Sequence, residues 1–265
     1  MTNSVNDILI KTGIADFGFC AAEPAVFRNP PKIPFPFTPV SVIAAVFPYK
    51  TPASGDENLC LYARVPDYHI VLGNRLKSAC EALLEAFPEN HFLPFVDSSV
   101  ISEGAAALRC GLGVLGKNRL LITPKYGSYV FIGAILTDLK LDFCNQPVAF
   151  CPDCGHCIAA CPTGTLSGKG DCLSFITQKK GVLTDYETDL IRKNGLAWGC
   201  DVCQNVCPLN ADAAFTDLPE FTSGIKRRIC AKDLDDLTGR AYGWRGREVL
   251  ERNLKILGQY DKIYP

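Results

Sequence analysis

The chain has 265 residues, enough for one large domain or two unequal ones, and its 48% hydrophobic content is sufficient for a packed core. No apolar run reaches the length of a membrane span, and the first residues lack the basic and apolar regions of a signal peptide, so the sequence excludes both features. We therefore expect a cytoplasmic protein without membrane contacts, in which the fourteen cysteines stay reduced.

The net charge of −1 is unevenly distributed along the chain. Residues 225–256, called the basic tail below, contain nine Lys and Arg against five Asp and Glu, which leaves eighteen against twenty-three elsewhere. Such a segment can dock a phosphate backbone. A solvated helix face is the simpler interpretation of the same charges.

Hydrophobic periodicity predicts short helices and strands in the first half of the chain. Asp67 is placed to cap the longest helix, and the prolines at residues 29–39 predict a loop. Several strands with few helices favour an α+β fold with a mixed sheet over a doubly wound parallel sheet. The expected buried stripe of the longest helix is Ile70, Leu72, Leu76, Cys80, Leu83, Leu84 and Phe87. The other predicted elements are helices at residues 4–11 and 102–109, strands at 17–22, 40–47 and 91–96, and a β-hairpin of 119–123 with 128–137.

Two cysteine runs carry the strongest chemical signal. The first has the spacing C-x2-C-x2-C-x3-C-P, which is the bacterial ferredoxin pattern for a [4Fe–4S] cluster. The second run also ends in Cys-Pro. In two-cluster ferredoxins the cysteine before the proline binds the other cluster. The runs are Cys151, Cys154, Cys157 and Cys161, and then Cys200, Cys203 and Cys207.

This rule assigns the cluster ligands. Cys172 is the only cysteine between the two runs, so we assign it as the fourth ligand of the second cluster. Zinc and disulfides are the alternatives, but zinc usually takes two separated C-x2-C pairs or mixed Cys and His ligands. Whether Cys144 or Cys110 competes as a ligand stays open. The predicted sets are Cys151, Cys154, Cys157 and Cys207 for the first cluster, and Cys161, Cys172, Cys200 and Cys203 for the second. Buried free thiols are the expectation for most of Cys20, Cys60, Cys80, Cys110, Cys144 and Cys230.

Residues 111–118 match a G-x-G-x-x-G motif and come close to a P-loop. A dinucleotide fingerprint must follow a strand and open a helix, whereas this segment follows a predicted helix and opens a predicted strand. Asn118 also replaces the hydroxyl that a P-loop places on Mg²⁺. We predict neither site. The glycines still let the backbone approach a bulky ligand, whose polar rim Lys117 and Asn118 can hydrogen-bond.

Asp97 ends an apolar strand and is followed by two serines. One interpretation is a helix N-cap. The other is an acid facing a cofactor pocket, because partial burial raises the pKa of a carboxyl group and lets it donate a proton near neutral pH. The two interpretations are compatible.

Together these segments resemble the epoxyqueuosine reductase family over about residues 40–257. The resemblance implies a cobalamin-dependent enzyme with two [4Fe–4S] clusters, which reduces an epoxide to an alkene on tRNA in the last step of queuosine synthesis. It further implies a nitroreductase-like corrinoid-binding domain, a ferredoxin-like cluster module, and a corrinoid bound base-off without a protein axial ligand. The resemblance is carried by residues 62–64, 67–69, 96–97, 111–118, 127–128 and 136–138, the cysteine runs, and residues 247–253.

By position, Asp97 matches the family's proton donor. The expected partners are an external electron donor of the flavodoxin or ferredoxin type and tRNA, contacted through the basic tail, and the expected state is a monomer. Family members usually have Asp-Thr-Ala-Pro where this chain has Asp97, Ser98, Ser99 and Val100. Many members also carry a C-terminal helical-repeat extension, which follows the region that resembles residues 40–257. The implied cofactor contacts are Arg64, Asp97, Gly116, Lys117, Asn118 and Ser128.

The expected domains are residues 1–143 for corrinoid and substrate binding, 144–212 for the two clusters, and 213–265 for the basic helical tail. Two other functions stay open. One is a corrinoid-dependent reductase of a small molecule, similar to reductive dehalogenases. The other is a ferredoxin-type electron-transfer protein without catalysis.

Overall fold

The computed structural model describes residues 2–28, 35–97, 100–143 and 151–261. The helices and strands are, in chain order, α1 (Thr2–Lys11), β1 (Asp16–Ala21), β2 (Ser41–Pro48), α2 (Leu61–Arg64), α3 (Tyr68–Ala86), β3 (Phe92–Val96), α4 (Glu103–Arg109), β4 (Val114–Leu115), β5 (Leu121–Ile122), β6 (Val130–Thr137), α5 (His156–Ala160), α6 (Leu173–Gln178), α7 (Asp185–Asn194), α8 (Val202–Asn205), α9 (Pro219–Ser223) and α10 (Arg247–Ile256). Short 3-10 helices lie at Pro24–Val26, Thr165–Ser167, Pro208–Asn210, Ala231–Leu234 and Ala241–Arg245.

The chain forms two units, and each is discontinuous in sequence. The first combines Met1–Pro48 with Tyr68–Pro152, and the second combines Tyr49–Asp67 with Asp153–Pro265. The domain boundaries predicted from sequence, after residues 143 and 212, do not anticipate that residues 49–67 join the second unit, and the three-domain division stays a prediction. Cys144 and most of the predicted proline-rich loop lie outside the described residues.

The first unit is built on a four-stranded antiparallel sheet in the order β1-β2-β6-β3. The central strand β2 is buried along its whole length and pairs with β6 in a register that places Ala44 opposite Ala134. An uninterrupted apolar run forms this strand because both of its faces are covered. The α+β class is confirmed, although the sheet is antiparallel where a mixed one was expected.

Helices cover both faces of this sheet. Val42 and Ala44 share a buried cluster with Ala106 and Ala107 of α4. The alternate side chains of β2 point the other way. There α3 packs so closely that a Cβ atom added to Gly133 would lie 2.7 Å from Leu76 Cδ1.

Two expectations about local structure are wrong. The predicted β-hairpin does not form, because β5 pairs with β4 and β6 pairs with β2 and β3; a single bridge between Thr123 and Gly127 is its only trace among the described residues. In α3, Ile70 and Leu84 are 52% and 50% exposed, while Val71 is buried. The buried face of α3 is thus narrower than the stripe of apolar residues in its sequence. Ile70 and Leu84 lie at the edges of that stripe and are half exposed.

The second unit is made of short helices and loops around Trp198. Its loop carbonyls are satisfied by buried amide side chains instead of a sheet. Asn253 Nδ2 donates to the carbonyl oxygens of Thr177 at 2.7 Å and Ala197 at 2.8 Å. The apolar cluster is Leu59, Cys60, Ala63, Ala197, Trp198, Ile229, Leu234, Tyr242, Val249, Leu250 and Leu254. Across the part of the chain that the structure describes, no helix is both long and apolar enough to cross a membrane.

Candidate cluster and corrinoid sites

The first cysteine run folds as a tight loop that leads into α5. Asp153 and Gly155 both adopt left-handed backbone conformations, with φ of 53° and 74°, between the first cysteines and the helix. After the second run, Pro208 occupies the first turn of a 3-10 helix, as expected for a position whose N–H has no helical partner. Pro162 lies in a turn instead of a helix. None of the described cysteines forms a disulfide.

The four thiols predicted for the second cluster lie within electrostatic reach of one another. Burial, and then the neighbouring charges that include Cys172 and Cys161, raises the pKa of Cys200 to about 11. Burial and the thiols of Cys200, Cys172, Cys161 and Cys157 raise the pKa of Cys203 to about 12. Thiols that lie this close together keep their protons unless a metal ion replaces the protons. A metal ion that coordinates a thiol removes its proton outright. The donor set therefore fits an iron–sulfur cluster.

The predicted ligands of the first cluster differ in exposure. Cys154 is exposed, Cys207 is partly buried and Cys157 is buried. Cys151 is the second-to-last residue of the first unit, whereas Cys154, Cys157 and Cys207 belong to the second unit. In the described ranges no three His, Cys, Asp or Glu side chains approach closely enough to hold a single metal ion. A four-iron cluster does not require this, because each thiolate binds a different iron.

Asp97 follows β3 and has a left-handed backbone conformation with φ of 51°. Its side chain is 42% exposed, so it is less buried than the sequence argument assumed. Tyr68 Oη donates to Asp97 Oδ2 at 3.1 Å, and His69 Nε2 lies 3.2 Å from the same oxygen. The N-cap interpretation is wrong, because Ser102 takes the position before α4.

The glycine-rich segment runs from the end of α4 into the hairpin of β4 and β5, so the structure agrees with the rejection of a dinucleotide fingerprint. Asn118 is 6% exposed; its Oδ1 accepts from Leu120 N–H at 3.2 Å, while its Nδ2 has no partner among the described residues. A buried amide nitrogen without an acceptor costs free energy unless a ligand supplies one. A Cβ atom at Gly116 would press on the side-chain ends of Asn118 and Ile122, the latter at 2.7 Å. This loop therefore fits a ligand with acceptor groups at its rim.

The other two predicted cofactor contacts differ in their surroundings. Ser128 is 3% exposed and follows Gly127, whose φ of 56° makes the turn before β6. Arg64 belongs to the second unit and is 7% exposed. Its Nε donates to the Leu59 carbonyl at 2.9 Å and its Nη1 to Glu57 Oε1 at 3.3 Å. Arg64 thus stabilises its own segment, and its contact with a cofactor stays a prediction.

Most cations of the basic tail have partners inside the second unit. Arg252 donates to the carbonyl oxygens of Lys179 at 2.7 Å and Gly181 at 2.8 Å. Arg240 donates to the Gly224 carbonyl at 2.8 Å. Others bond as follows: Lys226 with Asp233, Arg227 with Pro52, Arg228 with Asp56, Arg247 with Asp235, and Lys255 with Glu251. These charges hold the fold, which favours the simpler interpretation of the basic tail.

Comparison with protein-family models defines the class first. Residues 150–210 match the model of a 4Fe–4S double cluster binding domain, so this is a two-cluster iron–sulfur protein. Residues 35–98 match the model described as epoxyqueuosine reductase QueG, DUF1730. An epoxyqueuosine reductase of Staphylococcus aureus is 30% identical over 260 residues, covering 89% of this chain and 68% of the relative. The chain belongs to the epoxyqueuosine reductase family.

Other relatives and solved structures agree with this family. An epoxyqueuosine reductase of Listeria monocytogenes is 34% identical over 73% of this chain, and the chain spans only 55% of that relative's length. The structure of the Streptococcus thermophilus enzyme superposes with a TM-score of 0.79 at 25% identity, covering 97% of this chain and 80% of the other. A structure of an epoxyqueuosine reductase with an epoxyqueuosine-modified tRNA-Tyr stem loop superposes with a TM-score of 0.80 at 26% identity over 96% of this chain and 80% of the other. A catabolic reductive dehalogenase shares the fold alone, with a TM-score of 0.52 at 15% identity over 96% of this chain and 37% of the other.

Proposed function

We propose that this protein reduces epoxyqueuosine in tRNA to queuosine, with two [4Fe–4S] clusters and a base-off cobalamin as cofactors. The observation that carries the proposal is the fold shared with an epoxyqueuosine reductase bound to its modified tRNA stem loop over 96% of this chain. A neighbour from Bacillus subtilis, with a TM-score of 0.81, is described as having its catalytic aspartate loop swung out of the active site. We propose that Asp97 is the corresponding acid in this chain. A tRNA substrate would place the protein in the cytoplasm.

The reaction converts an epoxide, two electrons and two protons into an alkene and water. When bound, cobalamin supplies low-valent cobalt chemistry at carbon, and the clusters supply electrons one at a time from a donor of the flavodoxin or ferredoxin type. The protein positions the reactants and provides protons. Asp97 holds one proton for the oxygen that leaves. Asn118 Nδ2, together with Lys117, Gly116 and Ser128, is proposed to hold the corrinoid rim.

Corrinoid binding is the first test. Anaerobic titration of the iron-reconstituted protein with cob(II)alamin, followed by visible and EPR spectra, should give a base-off signal that saturates at about one equivalent if each chain has one corrinoid site. Failure to bind, with both clusters present, would instead support a ferredoxin-type electron carrier. Turnover of a small organohalide but not of epoxyqueuosine tRNA would support the small-molecule reductase.

Asp97→Asn tests the acid. This variant should keep both clusters and the corrinoid while its turnover of epoxyqueuosine tRNA falls by about 100-fold or more, the usual contribution of general acid catalysis. Glu89→Gln, at an exposed carboxyl of the same unit, is the control and should turn over normally. An unimpaired Asp97→Asn rate would remove Asp97 from the reaction.

A further inference from the structure

Two neighbouring side chains at the start of α3 converge on one carboxylate oxygen of Asp97. Tyr68 and His69 begin α3, whereas Asp97 follows β3. Tyr68 Oη and His69 Nε2 lie 3.1 Å and 3.2 Å from Asp97 Oδ2. Because α3 packs against both β3 and β6, the tertiary structure brings these groups together.

The arrangement is held by a stack of aromatic rings. The Tyr68 ring stacks on Phe131 of β6 at 4.3 Å and 11°, and on the His69 ring at 4.0 Å and 28°. Such stacking fixes the direction of the hydroxyl group. The left-handed conformation of Asp97 is unfavourable for most residues other than glycine, and less so for Asp, whose side chain can form local hydrogen bonds. The two contacts therefore hold the carboxylate where the backbone alone would not.

Burial does not explain how Asp97 keeps a proton. Its side chain is 42% exposed. Hydrogen bonds donated to a carboxylate favour its ionised form. Histidine, in contrast, is the side chain that exchanges a proton between pH 5 and 8. The His69 side chain is 45% exposed, so solvent can recharge it.

We propose that His69 and Asp97 act together as one acid, in which His69 stores the proton, Asp97 delivers it and Tyr68 fixes the carboxylate. This inference rests on the proposed function, in which Asp97 faces the substrate. The Nε2 proton of the charged His69 imidazole moves to the Asp97 carboxylate, which passes one proton to the leaving oxygen. The neutral imidazole then takes a proton from solvent, so protons balance and no further redox partner is needed. Tyr68 and His69 act through Asp97 and are positioning residues.

Few titratable side chains lie on the described elements that pack against α3. Strands β3 and β6, which pack against α3, have no titratable side chains, and α1 contributes only Asp7 and Lys11. Within α3 itself the charged residues lie further along the helix, at Arg75, Lys77, Glu81 and Glu85. Asp67 directly precedes α3.

The pair itself can be observed without turnover. The chain has three histidines. His91 offers a matched control, because its Nδ1 lies 2.7 Å from Asp138 Oδ2 in the same unit. In cluster-loaded, cobalamin-free protein, a downfield imidazole N–H resonance should disappear in both His69→Gln and Asp97→Asn and persist in His91→Gln. A spectrum that does not change in Asp97→Asn would overturn the inference.

The pH profile of single turnover tests the function of the pair. The wild-type rate should fall as pH rises from about 6 to 8, where imidazolium loses its proton. His69→Gln should be about 10-fold slower at pH 7, the loss expected when most of the acid is ionised. It should recover only toward pH 4–5, the range in which a carboxyl alone is protonated. Tyr68→Phe should lower the single-turnover rate but keep the pH profile of the wild type, because it removes the hydrogen bond that positions Asp97 and leaves His69 in place.

The outcomes separate this inference from the proposed function. If His69→Gln lowered the rate at every pH without moving the profile, as a residue with a purely structural role would, that result would overturn the inference. Wild-type turnover with an unchanged His69→Gln profile would also overturn it and leave the proposed function intact. No turnover by the wild-type protein would remove both the proposed function and the acid role, even with the imidazole resonance present. Unfolding midpoints equal to the wild type establish that each variant is folded.

Discussion

Cys172 decides the ligand assignment of the second cluster, because it lies outside both cysteine runs. Its side chain is exposed and directly precedes α6, so alanine at this position should leave the fold intact. We expect Cys172→Ala to retain the first cluster and damage the second, lowering the iron content from about eight to about four per chain. Iron analysis and EPR of the reconstituted variant measure this.

The control for this experiment is Cys80→Ala, a buried thiol of α3 in the first unit, which should keep its full iron content. Two intact clusters in Cys172→Ala would contradict the assignment and direct attention to Cys110 or Cys144 as the missing ligand.

At the level of residues, the sequence predicts chemistry where it is encoded by short spacing. Apart from Cys172, the predicted cysteine ligands come from motifs only a few residues long, and the five remaining cysteines that the structure describes are buried as expected. The partners of Asp97 could not be predicted, because His69 precedes it by 28 residues and only the packing of α3 on β3 brings them together. The Asp-Tyr-His sequence was a visible signal, but nothing in the sequence shows which residue it faces.

Among the elements, α7 depends on a capping box whose acid also forms an ion pair. Thr184 Oγ1 accepts from the Glu187 N–H, Glu187 Oε2 accepts from the Thr184 N–H, and Lys179 Nζ lies 2.7 Å from Glu187 Oε1. The Lys179 hydrogen bond, and then the Thr184 N–H, lower the pKa of Glu187. A lowered pKa in the folded state means that the ionised group stabilises the fold above its unfolded value of about 4.3, and that this contribution is lost as the pH falls.

Glu187→Gln keeps an acceptor for the capping box but removes the charge. We expect it to lower the free energy of unfolding by about 1 kcal/mol at pH 7, and the difference from wild type to narrow below about pH 4. Urea unfolding at several pH values measures this. Glu248→Gln, at an exposed position in the first turn of α10, should show no such pH-dependent loss. A difference that grows toward low pH would contradict the role given to Glu187.

The sequence predicts most elements of the first unit to within about two residues, because their apolar runs have a clear period. It fails at β4 and β5, which have two residues each. Strands of two residues are too short to show an alternation of apolar and polar side chains. The sequence pattern therefore predicts a hairpin across residues 124–127, which does not form.

On the scale of the whole molecule, the basic tail illustrates the limit of charge counting. Arg252 is hydrogen-bonded to two backbone carbonyls of the same unit. We expect Arg252→Met to lower the free energy of unfolding by about 1–3 kcal/mol, the cost of leaving such groups unpaired. The salt dependence of tRNA binding should not change, because the slope of log K against log salt reports only charges that meet phosphates.

Lys232→Met is the matched control, since Lys232 is exposed, and it should unfold like the wild type. A shallower salt slope for Arg252→Met without loss of stability would instead assign Arg252 to RNA contact.

Residues 49–67 belong to the second unit although they are synthesised before most of the first unit, so the two units complete their folding in a defined order. Asn58 bonds to the carbonyl of Ile229, which the ribosome adds 171 residues later. At about 5–20 residues per second this segment waits roughly 10–30 s for its partners, while the first unit can already close around β2 and β6. The cysteines of the second run also emerge before α10, whose side chains pack in the cluster around Trp198. Closure of this cluster is therefore expected only after α10 has been synthesised.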